Sequence, residues 1–463
     1  MPNADQEIDA ADQAAKGKAA RGAVPRGAHE ECAVGSRDPV PILRQQDESR
    51  VAELVPLRYE RMLASPFTFF RGAATLMAAD LAQAPAVGLE AQLCGDAHLS
   101  NFGIFSAPDR RLVFDCNDFD ETCRGPFEWD VKRLAASIAI AGRDRGFGKG
   151  ERRRATATAV AAYRASMRRF AAMRNIDVWY SRLDVESALG GLRSQVDKRR
   201  YRQIERNLDK ARAKDSLRAL GKLTYEEGGE LRIAADPPLI TPVEELTDAA
   251  DAEARLRAVL DAYRESLSPD RRHLAASYRY VHAARKVVGV GSVGTRAWIV
   301  LLLGRDAGDP LFLQAKEAGP SVLEEHLGAS PYPDHGQRVV EGQRLMQAAG
   351  DVFLGWFSAQ APDGEKRCFY MRQLWDGKGS ADVALMSARE LGLYGALCGE
   401  ALARAHARSG ERVAIASYLG KGDGFDQALA RFAESYADQN EADFQRVRDA
   451  VGAGEVPAAG QAA

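Results

Sequence analysis

A chain of 463 residues, 46% hydrophobic and 28% charged, is long enough for two or three domains or for one two-lobed enzyme with a large core. Its formal net charge of −2 gives no global attraction for nucleic acid or acidic membranes, so neither is expected as a partner. No apolar run approaches the ~20 residues of a bilayer span, and the N-terminal stretch lacks the apolar segment of a secretory signal. A cytoplasmic protein is expected.

The six cysteines, Cys32, Cys94, Cys116, Cys123, Cys368 and Cys398, are scattered without a C-x-x-C pair. That spacing argues against a zinc knuckle and against a disulfide framework. Cys94, Cys116 and Cys123 read as small buried hydrophobes rather than redox or metal groups.

In chain order, residues 1–40 are rich in Ala, Gly, Asp and Lys and almost free of aromatics, a composition that predicts a disordered tail. Residues 41–81 turn helical, with Leu54, Leu57, Met62 and Leu63 at helix-like spacing. Arg71, beside an aromatic run and a glycine, is either a phosphate contact or an arginine snorkelling from a packed segment.

The most informative stretch is 93–120, LCGDAHLSNFGIFSAPDRRLVFDCNDFD. It gathers Asp96, His98 and Asn101, then an apolar strand at 112–114, then Asp115, Asp118 and Asp120. Carboxylates so dense repel one another unless something positive lies between them, and hard oxygen donors suit Mg²⁺. A solvated acidic loop is the plain alternative, but apolar flanks (Leu93, Phe102, Ile104, Phe105, Phe114, Phe119) place these acids at the ends of core strands.

Pro126 and Asp130 then punctuate the start of a helix whose Val131, Leu134 and Ile138 repeat at helical spacing. A second long helix is predicted over 152–173. Residues 194–222 are densely charged but mixed in sign, without an aromatic ladder. They read as a solvated helix face rather than an RNA-binding surface. Proline-rich 237–242 marks a boundary.

Beyond it, KVVGVGSVG at 286–294 is followed by strand-like runs at 298–303 and 311–317, the second ending near Lys316. Gly289, Gly291 and Gly294 have dinucleotide spacing, but such a loop must open a helix in a Rossmann unit. Here it leads into a strand. The order strand, glycine turn, strand, turn, strand suits a hairpin covering phosphates, with Ser292 in the turn and Lys316 as a point charge. An ordinary β-meander is the plain alternative. A helix over 336–348 offers Glu341 as partner to Lys316, with Glu324 and Glu325 as competitors. Strands at 352–356 and 367–374, a hinge at 375–380, and helices at 393–407 and 425–447 complete the chain.

CGDAHLSN resembles the catalytic loop of aminoglycoside-phosphotransferase and choline-kinase-like enzymes, and NDFDETCRGPFEWD resembles their metal-binding stretch. The resemblance implies Asp96 as catalytic aspartate, with His98 beside it mainly as a structural residue of the loop. It implies Asn101 and Asp118 as metal ligands, with Asp120 close behind and Asp115 less favoured. Cys94 stands where that family usually has a histidine. The glycine loop and lysine follow the catalytic loop instead of preceding it. The resemblance therefore implies an α+β, two-lobed protein-kinase-like fold in circularly permuted order, with a small antiparallel nucleotide lobe and a larger helical lobe.

Over 41–447 the chain also resembles a bacterial family catalogued as domain of unknown function 2252, through FRGAATLMAADLA, CGDAHLSNFG, NDFDET, GPFEWDVKRLAAS and VGVGSVGTR. The expected organisation is a tail (1–40), a catalytic lobe (41–275), a nucleotide lobe (276–380), returning helices (381–450) and a flexible tail (451–463). The expected function is an ATP- and Mg²⁺-dependent phosphotransferase acting on a hydroxyl of an unknown acceptor. The rivals are a nucleotide-binding regulatory pseudokinase, an AMP-transferring enzyme and an NAD(P)-binding oxidoreductase.

Overall fold

The helical repeat of Val131, Leu134 and Ile138 is realised in a helix, Phe127–Asp144, that forms the centre of the protein. The computed structural model describes residues 9–35, 37–193, 197–246, 249–361, 364–374 and 376–457. Glu128 and Asp130 occupy that helix's first turn, where the macrodipole favours negative charge. All its residues as far as Gly142 are buried. The helices Lys149–Ala171, Ala388–Ser409 and Gly424–Gly452 pack around it. Each fully buried Leu or Ile here contributes about 1.5–3 kcal/mol.

Joined to this bundle through the helix His335–Met346, which packs on Ala388–Ser409, is a six-stranded antiparallel sheet. Its order is Gly355–Gln360, Lys366–Gln373, Pro310–Ala318, Ala297–Leu303, Arg279–Lys286 and Ile240–Pro242. The helix His335–Met346 packs on it, and Leu260, Tyr263 and Leu267 of the preceding segment join its core with Val300, Leu313 and Phe353. The sheet therefore recruits residues from 240 onward, upstream of the expected boundary at 276. The expected strand at 352–356 begins only at Gly355.

The acidic stretch is carried by smaller sheets. Phe102–Ser106 pairs with Leu112–Cys116, and Glu90–Leu93 pairs with Cys123–Pro126, all antiparallel. The fold is α+β, with 54% helix and 16% strand.

Two tail expectations need correction. From Asp9 the N-terminus is ordered as a helix, Ala10–Ala23, packed on Arg412–Leu419. Lys16 pairs with Glu411 at 2.6 Å, and buried His29 meets the Tyr418 hydroxyl at 2.7 Å. Residues 1–8 lie outside the described residues. At the other end the last helix runs to Gly452, and Val456 is buried beside Val40 and Leu43; residues 458–463 lie outside the described residues. Trp375, at the start of the expected hinge, also lies outside them, as do residues 194–196 of the charged segment. The rest of that segment includes the helix Lys198–Arg212, whose Leu208 and Ala211 face inward while its charged residues lie mostly outward.

Candidate active site

Asp96 follows a turn that only glycine makes comfortably. Gly95 has φ +83°, and a Cβ there would lie 2.1 Å from the Glu121 carbonyl oxygen. The backbone N–H groups of Cys94 and Gly95 donate to Asp130 at 2.8 and 3.0 Å. Asp130 also meets His406 Nε2 at 3.2 Å, and His406 Nδ1 meets the Tyr163 hydroxyl at 2.9 Å. The loop bearing Asp96 is thus tied to the central helix.

Arg133, one turn beyond Asp130, grips the Asp96 Oδ1 through Nε at 2.8 Å and Nη2 at 2.7 Å. The guanidinium also donates to the Phe70 carbonyl and lies 3.7 Å from the Phe70 ring centroid. The other carboxylate oxygen, Oδ2, lies 3.5 Å from His98 Nε2. Burial lowers His98 to about 4, so the imidazole is neutral near pH 7. Its Nδ1 has no hydrogen-bond partner among the described residues.

Asn101 joins the two acidic segments. Its Nδ2 donates to the carbonyls of Asp96 and Asp118 at 2.9 and 3.0 Å, and its Oδ1 accepts from the Asp118 N–H at 2.6 Å. The amide oxygen expected on a metal ion accepts this one backbone hydrogen bond and keeps a second lone pair. Asp115 is committed elsewhere, to Arg404 Nη2 at 2.5 Å in a fully buried pair.

Asp118 and Asp120 project towards the six-stranded sheet, where Lys316 meets them. Its Nζ lies 2.5 Å from Asp120 Oδ2 and 3.5 Å from Asp118 Oδ1. Tyr370, directly across the ladder from Lys316, donates its hydroxyl to Asp120 Oδ1 at 2.6 Å. Burial works against charge on Asp118, but Lys316, Arg372 and Lys378 outweigh it and hold the carboxyl at about 2. Burial likewise opposes charge on Lys316, and Asp118 and Asp120 reverse the balance, keeping the ammonium above its usual range.

Glu341 is not the partner of Lys316. It pairs with Arg344 at 3.0 Å on its own helix. The inward position of that helix is taken by fully buried Arg338, which donates to the carbonyls of Asp120, Thr122 and Gly319. Glu324 pairs with Arg338 at 3.3 Å.

The glycine turn lies over the acidic loop, with Ser292 Oγ 3.4 Å from Asp120 Oδ2. Arg61 donates to the Gly289 carbonyl at 2.8 Å, and the Val51 N–H to the Gly294 carbonyl at 2.8 Å. These contacts dock the turn on the N-terminal helices. The turn opens the strand Ala297–Leu303 rather than a helix, so the helix N-terminus required by a dinucleotide site does not follow it.

A family model described as "Uncharacterized protein conserved in bacteria (DUF2252)" matches residues 50–450. The chain belongs to this family. No curated protein and no solved structure matches it.

Several residues of this DUF2252 chain enter the site without having been singled out in the sequence. Arg133 was accessible in principle, since it stands three residues after Asp130 and shares its helix face. Tyr370 was not, because only the strand register sets it beside Lys316. Arg372, donating to the Asn117 carbonyl at 2.8 Å, and Lys378 bring further positive charge to Asp118. Arg372, with burial next, lowers Lys378 to about 7. Glu121, beside Asp120, is pushed up to about 7 by burial even though it accepts the Val322 N–H.

Among the described residues no group of three His, Cys, Asp or Glu side chains converges on one point. Mg²⁺, however, is commonly held by one or two carboxylates together with water and phosphate oxygens. Asp118 and Asp120 are both partly exposed, and their oxygens fit that donor set.

Proposed function

We propose that this DUF2252 chain is an ATP- and Mg²⁺-dependent kinase-like transferase that phosphorylates a hydroxyl of an acceptor. The observation that carries the reading is the contact of Lys316 with Asp118 and Asp120, with Asp96 held on the adjoining loop. A glycine turn over the same carboxylates adds to it. So does the local element order: three meandering strands, a helix packed on them, and two further strands. In this reading the small sheet lobe follows the catalytic loop of the larger helical lobe instead of preceding it, a kinase-like arrangement in circularly permuted order.

Phosphoryl transfer is mainly positioning and charge stabilisation. Mg²⁺ bound by Asp118 and Asp120 would offset negative charge on the phosphates. Lys316, Arg372 and Lys378 would face phosphate oxygens. Asp96, with one oxygen fixed by Arg133, would turn the other towards the acceptor hydroxyl and take its proton. Neutral His98 would hold that carboxylate in orientation. The same cleft serves AMP transfer or regulatory nucleotide binding if the acceptor meets a different phosphorus or none.

Incubation with ATP labelled at the α or γ phosphate, with the protein itself and a panel of hydroxyl compounds as acceptors, separates these readings. Transfer of γ label that Asp96→Asn abolishes supports the phosphotransferase. Transfer of α label assigns AMP transfer, and nucleotide binding without either leaves the regulator.

A further inference from the structure

A second cavity lies behind the loop that carries Asp96 and Asn101. It measures about 280 Å³ and is walled by the helices Val185–Leu192, Lys198–Arg212 and Ala388–Ser409, with strand Phe102–Ser106 and residues 379–386 closing it. Ile104, Phe114, Leu189, Leu208, Met386 and Leu397 give it an apolar surface. We infer that this cavity binds an uncharged, largely apolar small molecule carrying a single hydrogen-bonding group.

Charge complementarity selects that occupant. The three charged residues of the lining are already committed: Arg200 forms an ion pair with Glu390, and Asp382 caps its own turn through the Ala384 N–H. A charged ligand would have to break one of these contacts in apolar surroundings. What remains polar lies at the rim: Gln203 and Asn207, joined to each other at 3.1 Å, and the exposed Ser380. The volume is near the lower end for small-molecule pockets, which begin at about 300 Å³.

The cavity backs directly on the candidate active site. Tyr394 lines it, and its single hydroxyl proton is shared between the carbonyls of Leu99 and Phe102, 3.1 and 3.0 Å away on either side of Asn101. Gly103 lets Asn117 and Gly379 pack directly on the dividing strand, since a Cβ there would lie 2.5 Å from Asn117 Nδ2 and 2.6 Å from the Gly379 carbonyl oxygen. Gly379 and Ile104 close that wall with reciprocal backbone hydrogen bonds at 2.8 and 2.9 Å. An occupant therefore rests on the tyrosine that holds the Asn101 loop.

N-phenyl-1-naphthylamine, an uncharged fluorophore with one N–H, is the probe. Titrated into the full chain, it is expected to show one saturable site with enhanced, blue-shifted emission, displaced by 1-decanol. Ala188→Phe, which fills the cavity from one wall, is expected to weaken binding at least tenfold without lowering the thermal midpoint. Met386→Phe does the same from the opposite wall and serves if the first variant folds poorly. Absence of a saturable site, or unchanged binding in a folded filled variant, overturns the inference.

Discussion

Lys316 and Asp120 stand 196 residues apart in the chain and 2.5 Å apart in the fold. One comes from a sheet strand, the other from the loop after Leu112–Cys116. Their contact joins the glycine turn and the acidic stretch into one cleft. Tyr370 closes the arrangement by donating to the second oxygen of Asp120.

Asn101 staples two loops together, and this predicts how substitution behaves. Asn101→Asp replaces an amide that donates to two carbonyls with a carboxylate facing both. The expected loss of stability is about 2–3 kcal/mol, measured by urea denaturation. A residue waiting to bind metal would instead tolerate the change and bind Mg²⁺ more tightly.

The buried pair Arg404–Asp115 makes a separate prediction. Arg404→Met leaves Asp115 without its cation in a dry site and is expected to cost about 3–5 kcal/mol. Adding Asp115→Asn removes the stranded charge and should restore a large part of that loss. Equal denaturation midpoints for the single and double variants would contradict this account of Asp115.

Glu128 sets a pH dependence of stability. It is buried, accepts the Val87 N–H through one oxygen, and has no partner for the other among the described residues. Burial pushes it from 4.5 up to about 7. The folded protein then binds more protons than the unfolded chain between those values, so stability falls as pH rises from about 4.5 to 7 and levels off above. For Glu128 alone the fall is about 3 kcal/mol. Glu121, raised in the same direction, adds to it. Glu128→Gln should flatten a large part of the slope in denaturation curves taken across this range.

The local features of the site were legible and its long-range pairings were not. Asp96, Asn101, Asp118 and Asp120 stand out because they interrupt apolar strands over a short stretch, and the strand order around Lys316 follows from composition and turns. Glu341 misled because helical position alone does not say which residue faces inward. Arg338, one turn earlier, takes that place by meeting three backbone carbonyls. The N-terminal helix Ala10–Ala23 carries no apolar stripe in its sequence, because its inner face is made of small residues such as Gly17 rather than large apolar ones. Its partner, Arg412–Leu419, lies some four hundred residues away in the chain.

The most direct test of the proposed function is calorimetric titration of ATP, with and without Mg²⁺, into the wild type, Lys316→Ala and Asp118→Asn, each checked for folding by its melting curve. The account predicts saturable, Mg²⁺-dependent binding to the wild type. Both folded variants should bind at least tenfold more weakly. Absence of binding to the wild type, or binding that neither substitution changes, would contradict a nucleotide site built from these two distant segments.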